Sequence, residues 1–149
     1  MQYADGLVVG TTQNLIRLSD AVEPTVEWQT PISNIKRILG ATDEIIVVKT
    51  QDEIRGFAIN SGEEVIEPIP NDGLVAASVD NLIVSGNTLY QIESSATVTE
   101  LSTISAPRFV NQPVVGDDAL YAAGGNREIV RIGASSQEIE WKNINSRRC

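Results

Sequence analysis

The 149-residue chain has no histidine, one cysteine and only seven aromatic residues (two Trp, three Tyr, two Phe). Without histidine there is no His-centred triad, no imidazole metal ligand and no side chain that titrates near neutrality unperturbed. The single Cys149 excludes an intrachain disulfide framework and leaves a terminal thiol or a cross-link to another subunit. No apolar run approaches the ~18 residues of a spanning helix, and no basic-then-apolar leader opens the chain. The expectation is a soluble protein with no membrane insertion and an unassigned compartment. Lysine is scarce too: three lysines and eight arginines stand against twenty acids, a net charge of −9. Nucleic-acid phosphate and anionic membranes repel such a surface at long range, so nucleic acid is not an expected partner. Carboxylate excess with little lysine also suits concentrated salt, where screening relieves the repulsion, so a halophilic source stands beside an ordinary acidic one.

Isoleucine and valine, by contrast, number 32 against 9 leucines, with 11 glycines and 6 prolines. That bias favours strands over helices and predicts an all-β chain. Length alone predicts one domain, 1–149.

The chain is self-similar. Asp5-Gly6-Leu7-Val8-Val9, Asp43-Glu44-Ile45-Ile46-Val47, Asp80-Asn81-Leu82-Ile83-Val84 and Asp117-Asp118-Ala119-Leu120-Tyr121 start at intervals of 38, 37 and 37 residues. A fixed period in this range marks a repeat architecture. Each is followed by a polar turn and an alternating segment: 14–18, 53–59, 88–92 and 128–132. A third element follows at 25–28, 64–67, 98–101 and 138–141, and a fourth apolar stretch precedes the next acid at 35–39, 74–79 and 109–115. Four short antiparallel strands per repeat, with no helical stripe, predict the blade of a β-propeller. The repeats run approximately 1–33, 34–71, 72–106 and 107–142, giving a closed four-bladed ring or half of a larger ring completed by another copy. The first repeat has only Met1 to Ala4 before its acid, so its innermost strand is expected to be missing. The segment 143–149 is a candidate replacement, either as a clasp in its own chain or as an edge seeking a partner.

With these residues in place, the chain resembles the quinoprotein-like (PQQ-like) β-propeller repeat. Asp5, Gly6, Gly10 and Trp28 match its pattern in the first repeat, and Asp117, Gly124 and Trp141 match it in the fourth. The resemblance implies inter-blade packing for Trp28 and Trp141. Glu67 and Leu101 stand in the tryptophan's place in repeats two and three, which restricts such docking to two blades. Quinoprotein dehydrogenases of this family hold a quinone and calcium in a full-size ring beside paired cysteines. One cysteine and half the blades carry over the scaffold alone, so no cofactor is expected.

Reactive constellations are sparse. The neighbouring carboxylates Asp43-Glu44, Asp52-Glu53, Glu63-Glu64 and Asp117-Asp118 fall at turns or strand starts and read as solvated surface groups. No alternating Asp/Asn loop offers a calcium site, and Gly124-Gly125-Asn126 reads as a hairpin turn with no helix behind it to cradle phosphate. The expectation is therefore a non-catalytic structural or interaction subunit, in concrete form a virion or surface-layer component of a salt-adapted system. Its partners would be protein subunits, including copies of itself, through Asn143, Ile144, Arg147, Arg148 and Cys149. Two other classes fit the sequence. A carbohydrate-binding or glycan-hydrolysing propeller would use Trp28 or Trp141 as a stacking platform. A peptide-binding adaptor would add a partner's strand to an open sheet edge.

Overall fold

Isoleucine and valine set the local structure, because branching at Cβ restricts χ1 and fits a pleated surface. A computed structural model describes residues 2–3, 6–71, 76–79, 81–86, 88–93, 96–103, 114–123, 128–133, 135–136 and 139–144. Among them are sixteen strands and no helix, arranged as four antiparallel sheets, each a meander of four strands in chain order. The first sheet comprises β1 (Gln2–Tyr3), β2 (Gly6–Gly10), β3 (Asn14–Ser19) and β4 (Val26–Pro31). The second comprises β5 (Arg37–Ala41), β6 (Ile45–Lys49), β7 (Glu53–Ala58) and β8 (Glu64–Pro70). The third has β9 (Ala76–Val79), β10 (Leu82–Ser85), β11 (Thr88–Ile92) and β12 (Val98–Thr103), and the fourth β13 (Val114–Val115), β14 (Ala119–Ala123), β15 (Glu128–Gly133) and β16 (Ile139–Ile144).

The acid-opened apolar segments are β2, β6, β10 and β14, and the alternating segments after them are β3, β7, β11 and β15. Two boundaries differ from expectation. The first repeat does not lack a strand: β1 pairs with β2, Gln2 opposite Leu7 and Tyr3 opposite Gly6. A two-residue strand leaves no periodic signature, and its pairing with β2 defines it. The segment from residue 143 is likewise not a separate tail at its start. Asn143 and Ile144 belong to β16, opposite Ile129 and Glu128. Residues 145–149, with Arg147, Arg148 and Cys149, lie outside the described residues.

Threonines close several of the turns. Thr11, Thr42 and Thr50 each accept, through Oγ1, the backbone N–H three residues on, at 2.9–3.1 Å, while their own N–H donates to that residue's carbonyl at 2.8 Å. A side-chain oxygen in place of a ladder carbonyl satisfies the amide where the chain reverses.

The chain divides into two compact units, Met1–Pro70 and Asn71–Cys149, each of two sheets. In the first unit Val8, Leu15 and Ile32 pack with Ile46, Val48, Phe57 and Ile59, flanked by Trp28, Ile35, Ile38 and Ala41. In the second, Leu82, Val84 and Leu89 pack against Leu120, Ala122, Val130 and Ile132, with Leu101 beside them. Both clusters lie between two sheets. Ile45 to Val48 and Leu82 to Ser85 are buried at every position, as strands covered on both faces must be. Strand β2 instead alternates, with Val8 buried and Leu7 exposed.

Candidate interaction surfaces

Strand parity places Val8, Arg17 and Trp28 side by side across the first sheet, since Val8 pairs with Arg17 and Arg17 with Trp28. A register shift follows at once, between Arg17 and Leu18. Such a bulge re-aims the side chains beside it. Here Trp28 and Arg17 converge on the turn between β7 and β8. Trp28 Nε1 donates to the Ile59 carbonyl at 2.9 Å, and Arg17 Nη1 donates to the same oxygen at 2.7 Å and to Asn60 Oδ1 at 3.2 Å. Glu27 holds the other side of the guanidinium, Nε to Oε2 at 2.7 Å. Thr30 Oγ1 donates to the Gly62 carbonyl at 2.6 Å.

Gly62 makes the approach feasible. Its φ of +72° lies in the left-handed region, and a Cβ there would stand 2.5 Å from Trp28 Cε3. Only a residue without Cβ serves both needs. Sequence reasoning finds Trp28 as a packing residue and misses its receptor. The readable signal is Asn60-Ser61-Gly62, a turn tripeptide between two alternating segments. The acceptor itself, a backbone carbonyl, has no side-chain signature.

The fourth sheet repeats half of this arrangement. Tyr121 pairs with Arg131, Arg131 with Trp141, and the register again shifts immediately after the arginine. Arg131 Nη2 donates to Asp118 Oδ2 at 2.9 Å and its Nε to Tyr121 Oη at 3.3 Å, with the guanidinium 5.9 Å from the tyrosine ring centre. The tyrosine hydroxyl, then Asp118, hold this guanidinium above its ordinary pKa. Of Trp141 the register is described; its side chain is not. In the second sheet Arg55 forks onto Glu64, Nε to Oε1 at 2.6 Å and Nη2 to Oε2, and that contact likewise raises its pKa. Thus Glu64 and Asp118, two of the paired carboxylates of the sequence, hold arginines.

A groove of about 440 Å³ in the first unit is lined by Gln13, Asn34, Gln51, Asp52, Glu53 and Arg55 among others. Its side chains are polar apart from Pro31 and Ile32, and none is aromatic. Among the described residues no group of three or more Cys, Asp or Glu is placed to hold a metal ion. Nor is any helix there long and apolar enough to cross a membrane.

No family model and no curated protein matches the chain. Solved structures do. Hsv2 from Kluyveromyces marxianus matches at 14% identity over 99% of this chain and 49% of its own, with a TM-score of 0.71. BamB from Moraxella catarrhalis matches at 16% identity over 95% and 61%, TM-score 0.59. A structure from S. cerevisiae in which Dbp5 is bound to Nup159 and Gle1 matches at 13% identity over 92% and 40%, TM-score 0.60. The fold is that of a β-propeller. At such low identity the likeness shows the fold alone, and the chain spans about half the length of the propellers it matches.

Proposed function

We propose that this propeller is a non-catalytic structural subunit that acts through sheet faces and strand edges within a larger assembly of protein chains. The observation that carries the reading is where large apolar side chains meet solvent. Leu7, Val26, Val114, Val115 and Ile129 are 40–67% exposed, and all five lie on strands. Apolar residues scattered singly over a surface are ordinary, whereas a contiguous apolar patch marks an interaction face, and Leu7 and Val26 both stand opposite Leu18 on one face of the first sheet. The similarity to a structure where Nup159 and Dbp5 are bound together supports protein partners. Copies of the same chain belong among them in this reading. The acid-rich, lysine-poor composition supports a salt-adapted setting, such as a virion or surface layer.

A sugar platform is less well supported. The Trp28 indole lies against Gly62 and donates to Ile59, and the polar groove contains no aromatic ring.

The test is the native mass of the chain in extracts of its own source, read by size exclusion with immunodetection. A mass well above the single-chain 16.1 kDa is expected, falling to it when Leu7 and Val26 are both replaced by Lys without change in the far-UV spectrum. A single-chain mass for the unsubstituted protein, in both low and molar salt, overturns the reading.

A further inference from the structure

Lysine is scarce in this chain, and two of its three lysines meet an arginine at one end of the second sheet. Arg37 on β5 stands directly opposite Lys49 on β6. Side chains so paired leave the sheet on the same face, with Cβ atoms about 4.5–5.5 Å apart. Lys36 continues the ladder, its backbone N–H donating to the Lys49 carbonyl at 2.9 Å. Lys36 and Arg37 are exposed, and Lys49 is half-buried.

The row that holds these two cations runs on across the sheet through Ile54 and Ile69, since Lys49 pairs with Ile54 and Ile54 with Ile69. Both isoleucines are buried. The row therefore contains no acid, and its buried apolar end lowers the dielectric beside Lys49, where repulsion between like charges is stronger than in water. The nearby Glu53 precedes Ile54 by one residue, so strand alternation puts it on the opposite face, with Arg55, whose charge it helps to hold. Burial first and Arg37 second push the Lys49 pKa down. Like charges placed directly opposite each other destabilise a sheet. A dianion between them turns that repulsion into attraction to both, and a guanidinium fork beside an ammonium matches the oxygens of a phosphate.

We propose that Arg37 and Lys49, with Lys36 beside them, bind a doubly charged tetrahedral oxyanion, phosphate or a phosphate monoester. A carboxylate carries one charge and offsets one cation, whereas a phosphate dianion offsets both. The overall charge of −9 does not oppose this ligand as it opposes a polyanion. A small anion feels the local cations within a Debye length, about 10 Å at ~0.1 M, while nucleic acid or an anionic bilayer meets the field of the whole surface. The site does not depend on the assembly reading above.

Isothermal titration calorimetry of the purified chain with inorganic phosphate at about pH 8, where the dianion predominates, tests this. Saturable binding is expected, with sulfate competing and acetate not. Arg37→Gln is expected to weaken it at least about tenfold, the weight of one charge-assisted hydrogen bond. Thermal midpoints separate a ligand site from a structural role. In Tris chloride, Arg37→Gln is expected to be at least as stable as the unsubstituted chain, because a repulsion is removed. In phosphate of the same ionic strength that order is expected to reverse. Exclusion of phosphate from the surface raises both midpoints alike and does not reverse them. Co-sedimentation with phosphatidylcholine vesicles containing phosphatidic acid separates a lipid headgroup from the free ion, and none is expected. Co-sedimentation abolished by Arg37→Gln would place the same phosphate group on a membrane. Absence of phosphate binding, acetate bound as tightly as phosphate, or an order of midpoints that is the same in both buffers overturns the proposal.

Discussion

At the scale of single residues, the clasp between the first two sheets depends on one glycine and one indole, which make unequal contributions. Trp28→Phe keeps a six-membered ring and removes the pyrrole ring with its Nε1 donor. Ile59's carbonyl still accepts from Arg17, so no buried acceptor is orphaned, and the lost hydrogen bond costs about 1 kcal/mol, to which the lost packing of the half-buried pyrrole ring adds. Gly62→Ala is expected to cost more. An L-residue at φ +72° carries a left-handed penalty of roughly 1–2 kcal/mol, and overpacking against Trp28 adds about 1–3 kcal/mol. Urea denaturation of both variants gives the comparison. A Gly62→Ala loss no larger than that of Trp28→Phe would show that the turn is not held against the indole.

At the scale of elements, the strands were the legible part of the sequence. Period-two alternation and short apolar runs found β2, β3, β6, β7, β10, β11, β14 and β15, because burial of one or both faces writes itself into side-chain type. Elements defined by pairing alone were not legible. Strand β1 is two residues long and has no periodic content. The end of β16 carries Asn143 and Ile144, which read as the start of a tail because a polar residue breaks the alternation there. The clasp was half legible: Trp28 is conspicuous, but the Ile59 carbonyl and the bulge after Arg17 are backbone features. Which residues of neighbouring strands stand opposite one another follows from the registers, which a period alone does not fix. One pairing is unfavourable at this scale. Arg37 and Lys49 stand directly opposite each other on β5 and β6, and like charges so placed destabilise a sheet. Burial first, and Arg37 second, lower the Lys49 pKa. Between that lowered value and the ordinary lysine value of about 10.4, the unfolded chain binds more protons than the folded one, so stability rises with pH across the window. Arg37→Glu turns the repulsion into an attraction. It is expected to stabilise the chain by roughly 0.5–1 kcal/mol at neutral pH and to flatten the rise with pH. Denaturation midpoints at neutral and alkaline pH measure both, and an unchanged midpoint would show that the two cations avoid each other at no cost.

At the scale of the whole molecule, the acid excess and the apolar faces oppose each other. Net charge of −9 repels a second copy, while Leu7, Val26 and Ile129 favour covering. Salt acts on the two terms differently. The Debye length shrinks from ~10 Å at ~0.1 M to ~3 Å at ~1 M, which removes most repulsion between exposed carboxylates and leaves apolar burial in place. Attraction between exposed opposite charges weakens too, but an exposed pair contributes only about 0–1 kcal/mol, less than a fully buried Ile or Leu at roughly 1.5–3 kcal/mol. The balance therefore tips towards the folded and associated state as salt is added. The thermal midpoint is expected to rise with potassium chloride, most steeply below about 0.5 M, where screening changes fastest. A rise that continues evenly into the molar range would instead point to exclusion of salt from the surface, which strengthens burial whatever the charge. A flat or falling midpoint would mean that arginine pairs such as Arg17–Glu27 and Arg131–Asp118 already balance the local field, leaving the acid excess with no part in stability.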